Sequence, residues 1–128
     1  MLRVLSLVAL LVVYCSQALA DPRDYALQMD RSRVGFTYSL NNDPVTGSMT
    51  VSRADIALDF DRPANSRINV AVDASNARAG APFAGEALRG QSVLWTDRFP
   101  EITFQSRDVR RDGQGGAVLT GTLTVRGV

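Results

Sequence analysis

The sequence predicts an all-β chain, an antiparallel barrel or sandwich with a short helical insertion around residues 82–95. Three observations carry that reading. Apolar and polar residues alternate with a period of two in several short segments. Clusters of Asn, Asp, Pro and Gly separate those segments at the spacing of turns. No two segments are separated by an amphipathic helix of the length that a parallel crossover needs.

Each element follows from local chemistry. Tyr25 to Met29 reads as a first strand. In Val34 to Leu40, Val34, Phe36, Tyr38 and Leu40 share one face, with Gly35, Thr37 and Ser39 on the other. Asn41-Asn-Asp-Pro44 is a turn. Val45 to Ser52 resumes an extended pattern, and in Ala54 to Phe60 the residues Ile56, Leu58 and Phe60 alternate with polar or small ones. Arg62 to Ser66 turns the chain again. Arg67 to Asp73 carries Ile68, Val70 and Val72 on a single face. Pro82 to Arg89 and Gln91 to Trp95 lose the period of two; Phe83, Ala87, Leu88, Leu94 and Trp95 suit one or two helical turns weakened by Gly85 and Gly90. Two roles are open to that insertion: a plug or cap at one end of a barrel, or simple core packing. Strand pattern returns with Ile102 and Phe104. A hairpin loop follows at Arg111 to Gly116, then a last strand, Val118 to Val125, with Leu119, Gly121, Leu123 and Val125 on one face. Arg126-Gly127 reads as the start of a turn.

The N-terminus has the layout of a secretory signal peptide: Arg3, an apolar run from Val4 to Tyr14 broken only by Ser6, and Ala18-Leu-Ala20 before Asp21. The run is too short to span a bilayer. A lipoprotein signal would place a small residue before Cys15, where Tyr14 stands. Cleavage between Ala20 and Asp21 leaves 108 residues, one small domain (128 − 20). The lone cysteine leaves with the signal, so the remaining chain has no disulfide in a compartment that permits one. All 14 basic residues are Arg, and removing Arg3 leaves 13 against 13 acids, a formal charge of zero. That balance gives no electrostatic reason for nucleic acid or an anionic membrane as partner.

Missing residue types narrow the chemistry. With no His, no Lys and no remaining Cys, the Ser-His-Asp and Cys-His arrangements, Schiff-base lysines and imidazole or thiolate metal sites are excluded. Carboxylate chemistry remains. Asp59 and Asp61, two apart around Phe60, would point the same way on a strand and suit an oxygen-ligated cation or an acid pair. The competing reading is two solvated carboxylates at a strand end, since no third oxygen ligand lies at EF-hand spacing. Asp112 to Gly116 is glycine-rich, but a strand follows it rather than the helix a phosphate cradle needs. Arg107, Arg110 and Arg111 are offset by Asp108 and Asp112. Apolar strand faces therefore carry most of what is left. They close on themselves as a core, or they line a slot for an apolar guest, as an eight-stranded barrel does.

Several stretches resemble the YceI-like family of lipid- or polyisoprenoid-binding β-barrel domains of bacterial envelopes. Ser32 to Tyr38 looks like the family's second strand, and Val45 to Met49 resembles its "V-x-G-x-F" turn. Ser66 to Val72 is similar to its "S-x-V-x-V-x-I" strand, and Phe99 to Ser106 to its "[YF]-P-x-[IA]-x-F-x-S" motif. Thr120 to Val128 matches "G-x-L-T-[IVL]-[RK]-G-V" almost letter for letter. The resemblance implies an antiparallel lipocalin-like β-barrel with a helical insertion, enclosing an apolar channel. It also implies a polyisoprenoid or isoprenoid quinone as ligand, a periplasmic or secreted location, no catalytic residues and no cofactor. Under that reading Phe36, Tyr38, Val70, Val72, Leu94, Trp95, Ile102 and Phe104 are the candidate channel lining. Tyr38 and Trp95 add polar edges for a quinone or phosphate head group.

Two departures stand out. Many members carry a His before the second strand, where this chain has Asp30-Arg31-Ser32. In the family "R-G-V" continues into "T-[KR]-P-V" and further strands. The expectation is therefore an incomplete barrel, its final strands missing, with unpaired edges and poor solubility. Three functions are weighed: isoprenoid carriage first, then a β-rich module completed by a partner's strand, and last a carboxylate hydrolase.

Overall fold

The computed structural model describes residues 21–128; the expected signal peptide lies outside the described residues. Six strands form one antiparallel sheet: β1 (Arg23–Tyr25), β2 (Arg33–Leu40), β3 (Asp43–Leu58), β4 (Arg67–Ala79), β5 (Glu101–Arg111) and β6 (Ala117–Thr124). The order is β1-β3-β4-β5-β6, with β2 also paired to β3. The N-terminal half of β3 takes β2 and its C-terminal end takes β1, so both share one edge of the sheet. No pairing closes that edge against β6 among the described residues, so the sheet is open, part of a lipocalin-like barrel in its strand order and curvature-inducing bulges.

The hairpin between β2 and β3 shows how local chemistry sets register. Asn41 and Asn42 both adopt left-handed backbone, φ 53° and 71°, and Leu40 pairs with Asp43. That is a two-residue type I′ connection, and Asn tolerates it better than most residues. The expected four-residue turn is thus only two residues long, and Pro44 already belongs to the strand, opposite Ser39.

Segments read as separate strands at Val45 to Ser52 and Ala54 to Phe60 are one 16-residue strand. Register shifts between Val51 and Arg53; this β-bulge moves the apolar phase from odd positions (Val45, Met49, Val51) to even ones (Ala54, Ile56, Leu58). A bulge bends and twists a strand without ending it. Beyond Leu58 the strand stops, so Phe60 is not on it. The first strand also differs from expectation: it covers Arg23–Tyr25, and Met29–Arg31 is a 3-10 turn. β4 runs on to Ala79, six residues past the legible pattern, because Ala74 and Ala77 are too small to show an alternation.

The helical insertion is real and short. α1 spans Ala84–Arg89. Phe83 precedes it with φ 60° and makes no side-chain cap. Tertiary contacts hold what local propensity does not: Ala84 and Leu88 are buried, and Arg89 Nη1 donates to the Ala77 carbonyl. The chain then folds back, with the N–H groups of Leu94, Thr96 and Trp95 donating to the carbonyls of Leu88, Arg89 and Gly90 at 3.0, 3.1 and 2.8 Å. Those are the carbonyls that a helix C-terminus leaves unpaired.

Candidate functional site

Directly paired residues of antiparallel strands share a face, so the register lays out the apolar surface row by row. Tyr38 pairs with Val45, Phe36 with Gly47 and Val34 with Met49. Val51, Val72 and Ile102 form one row across three strands, and Ala54, Val70, Phe104 and Leu123 the next across four. Ile56 and Ile68 follow. On β5 a bulge between Ser106 and Asp108 shifts the phase, so that Val109, opposite Leu119, continues the face. The opposite face is polar. There Arg53 reaches Glu101 at 2.6 Å and Arg67 reaches Asp55 at 3.0 Å.

The apolar face has two unlike ends. At one, Met49, Val51, Val72, Ala74, Ala77 and Leu88 form the buried core, with Phe36, Tyr38, Val70, Leu94 and Ile102 packed against it. α1 and the segment after it cover this end. At the other, the face opens into a cavity of about 550 Å³ walled by Leu58, Ile68, Val109 and Leu119, with Phe60, Pro63 and the Gly113–Gly116 loop around it. Leu119 is 39% exposed and Leu123 60%.

Six of the eight candidate lining residues (Phe36, Tyr38, Val70, Val72, Leu94 and Ile102) therefore meet in or on the core at the covered end. Phe104 lies one row on, in the row of Val70, and both border a groove of about 580 Å³ whose other walls are largely polar, with Arg53, Asp55, Asn69, Thr103 and Gln105 beside Met29 and Ala54. Phe36 lies against Gly47 and Phe104 against Gly121, each where a Cβ would collide with the ring; these glycines let an aromatic ring lie flat across the neighbouring strand. Trp95 stands apart. Its ring meets Phe99 edge-on at 5.9 Å, with the Arg98 and Arg126 guanidinium groups 5.0 and 5.5 Å from its centroid. Arg126 sits in a turn, as expected: Val125 and Val128 exchange N–H···O bonds of 2.9 and 3.0 Å around it.

None of the eight lines the open cavity. Ile68 and Leu119 were legible as members of apolar faces, whereas Val109 was hidden by the bulge that moves it out of phase with Phe104.

The two carboxylates do not form a pair. Asp59 lies past the end of β3 and is 4% exposed, a correction to its reading as a solvated residue. Its Oδ1 accepts the N–H groups of Asp61 and Arg62 at 3.0 and 2.8 Å, and its own N–H donates to Ser66 Oγ at 2.9 Å. Asp59 thus holds the turn that Asp61 merely occupies. Among the described residues no group of three or more Cys, Asp or Glu converges in a way that could hold a metal.

An open antiparallel sheet with one apolar and one polar face, a helix over one end and a cavity at the other is the architecture of an incomplete lipocalin-like β-barrel domain. A family model described as YceI-like domain matches residues 25–128, and the chain belongs to that family. Similar proteins include a UPF0312 protein of Shewanella oneidensis, 27% identical over 108 residues covering 82% of this chain and 56% of the relative. One from Shewanella sp. (strain W3-18-1) is 28% identical, covering 85% and 59%. One from Yersinia pestis (strain Pestoides F) is 32% identical over 82 residues, covering 64% and 42%. The chain spans about half the length of the curated relatives it matches.

Proposed function

We propose that this chain is the barrel-forming part of a non-enzymatic, periplasmic or secreted protein that holds an isoprenoid lipid or isoprenoid quinone against its apolar sheet face. The observation that carries the reading is the series of apolar rows, interrupted on β5 and β6 only by Ser106 and Gly121, from the covered core to the 550 Å³ cavity. Each CH₂-sized group moved from water onto such a surface contributes about 0.8 kcal/mol. A long prenyl chain therefore gains affinity by length alone, without charged contacts. Among the described residues no helix is long and apolar enough to cross a membrane.

Organic extraction of the purified protein followed by mass spectrometry tests this. Co-purified polyisoprenoid or quinone is the expected result; an extract free of apolar ligand would overturn it. A second reading has its own observation. Among the described residues β6 pairs with β5 on one side only, which leaves its outer edge able to accept a strand from a partner. A ligand-free protein in a stable complex that protects the β6 amides from exchange would favour that reading.

A further inference from the structure

We propose that the polar face of the sheet carries a separate site, a pocket between β2 and β4 that binds a phosphate monoester group through Arg33 and Arg78. The pocket measures about 220 Å³ and is lined by Arg33, Ser48, Met49, Thr50, Asn76 and Arg78. Register brings these residues together. On one side of β3, Arg33 pairs with Thr50 and Gly35 with Ser48; on the other, Arg78 pairs with Ser48 and Asp73 with Thr50. Paired residues share a face, so the two arginines flank the half-buried Ser48 and Thr50. Neighbouring strands lie about 4.8 Å apart, which lets an arginine on each side of β3 reach over it. Between Asp73 and Arg78, β4 bulges against the short stretch from Ser48 to Thr50. Ala74 and Ala77 enter the core there, while Ser75 and Asn76 are left exposed and Asn76 joins the pocket wall.

The guanidinium charges of this pocket are not offset by a carboxylate. Among the described residues the ion pairs are Arg53 with Glu101 and Arg67 with Asp55, and neither Arg33 nor Arg78 takes part. The carboxylates nearest by register are Asp73, opposite Thr50, and Glu101, opposite Asp73. Glu101 is held by Arg53 and by Ser52 Oγ. Asp73 is turned onto its own bulge. Its Oδ1 accepts the Ser75 N–H at 3.0 Å and the Ser75 hydroxyl, and its Oδ2 accepts from Asn76 Nδ2 at 2.9 Å. A guanidinium group is a planar fork of donors that fits phosphate oxygens two at a time. A phosphate monoester carries a charge of about −1.5 to −2 at pH 7 and three acceptor oxygens, a match for two such forks with two hydroxyls between them. A carboxylate would leave one of the charges unmatched, and an apolar chain would leave every donor unpaired. The formal charges of residues 21–128 cancel, so the attraction is local to this pocket.

Such a group arrives as a soluble ester or as the head group of a lipid, and two probes separate these sources. Titration of ¹⁵N-labelled protein with glycerol 3-phosphate should move the Nε–H resonances of Arg33 and Arg78 to saturation. Arg33→Gln and Arg78→Gln should each weaken binding about tenfold, the share of one charge-assisted contact. Arg78→Lys keeps the charge without the fork and should weaken it less. Arg110→Gln removes an exposed arginine of β5 and should change nothing. The second probe is sedimentation with phosphatidylcholine vesicles that contain phosphatidic acid. Vesicle binding lost in both Gln variants assigns the lipid source. A saturable response to glycerol 3-phosphate without such binding assigns the soluble ester. No saturable response to glycerol 3-phosphate together with no variant-sensitive vesicle binding would overturn the site, as would equal weakening by Arg110→Gln. The pocket lies on the face opposite the apolar rows, so its failure would leave the lipid-carriage reading untouched.

Discussion

The two ends of the apolar face are made of similar residues on the same strands, yet one is core and the other is surface. At the covered end, Leu88 of α1 comes down on Met49, Val51 and Val72, and the alanines at 74 and 77 let it approach closely. At the open end, Leu58, Ile68, Val109 and Leu119 face a cavity, and Leu123 beside them is more than half exposed. The difference lies in what is laid over the strands: β3, β4 and β5 run through both ends, with bulges in β3 and β5 between them. Stability is therefore concentrated where α1 packs, and the proposed function places the ligand where nothing does.

Truncation at each end should separate these roles. Leu88→Ala removes the side chain that covers the core and should cost about 2–5 kcal/mol in urea unfolding; an effect below 1 kcal/mol would mean that α1 is not part of the core at all. Gly47→Ala sharpens the same end, because the new Cβ would stand 2.5 Å from the Arg78 carbonyl and against the Phe36 ring. Overpacking of this kind should cost about 1–3 kcal/mol, and fluorescence-monitored melting would measure it. Leu119→Ser at the open end should change stability by no more than about 0.5 kcal/mol. It should weaken isoprenoid-lipid binding about tenfold, the share of one aliphatic side chain. If Leu119→Ser were as destabilising as Leu88→Ala, the two ends would not differ as described.

The smallest expected effect concerns the polar face, where acid should act on both ends alike. The hydrogen bond from Arg53 holds the Glu101 carboxyl below its ordinary value near 4.5, and the one from Arg67 holds Asp55 below its ordinary 3.8. A carboxyl lowered on folding stabilises fully above its unfolded value, and that contribution is lost as pH falls through the lower folded value. The melting temperature should thus decline from about pH 4.5 downward, and less steeply in Arg53→Gln. Both pairs are exposed, so added salt should flatten the decline. A melting temperature that rose on acidification would contradict the assignment.

Much of this was legible in the residues. Val34 to Leu40, Arg67 to Asp73 and the last strand show their faces directly, because a strand half covered by core must alternate. The helical insertion was visible as a loss of that period. Three things were not. The bulges in β3 and β5 break the phase, which made one long strand look like two and hid Val109. The last residues of β4, Ala74-Ser-Asn-Ala-Arg-Ala79, mix alanine with polar side chains without a regular period, too weak a signal to read. Asp59 looked like a solvated partner for Asp61, since nothing local says that the turn after Leu58 would bury it and spend its Oδ1 on backbone N–H groups.

Alone, the order of residues determined the strand faces, the turn positions and the absence of imidazole, lysine and thiol chemistry from residues 21–128, since these depend on near neighbours and on composition. Which apolar residues became core and which were left to wall a cavity was decided only in three dimensions. Burial is a property of what packs from far along the chain: Leu88 reaches the cluster of Val72 and Met49 through folding, whereas Leu119 is left 39% exposed at the cavity.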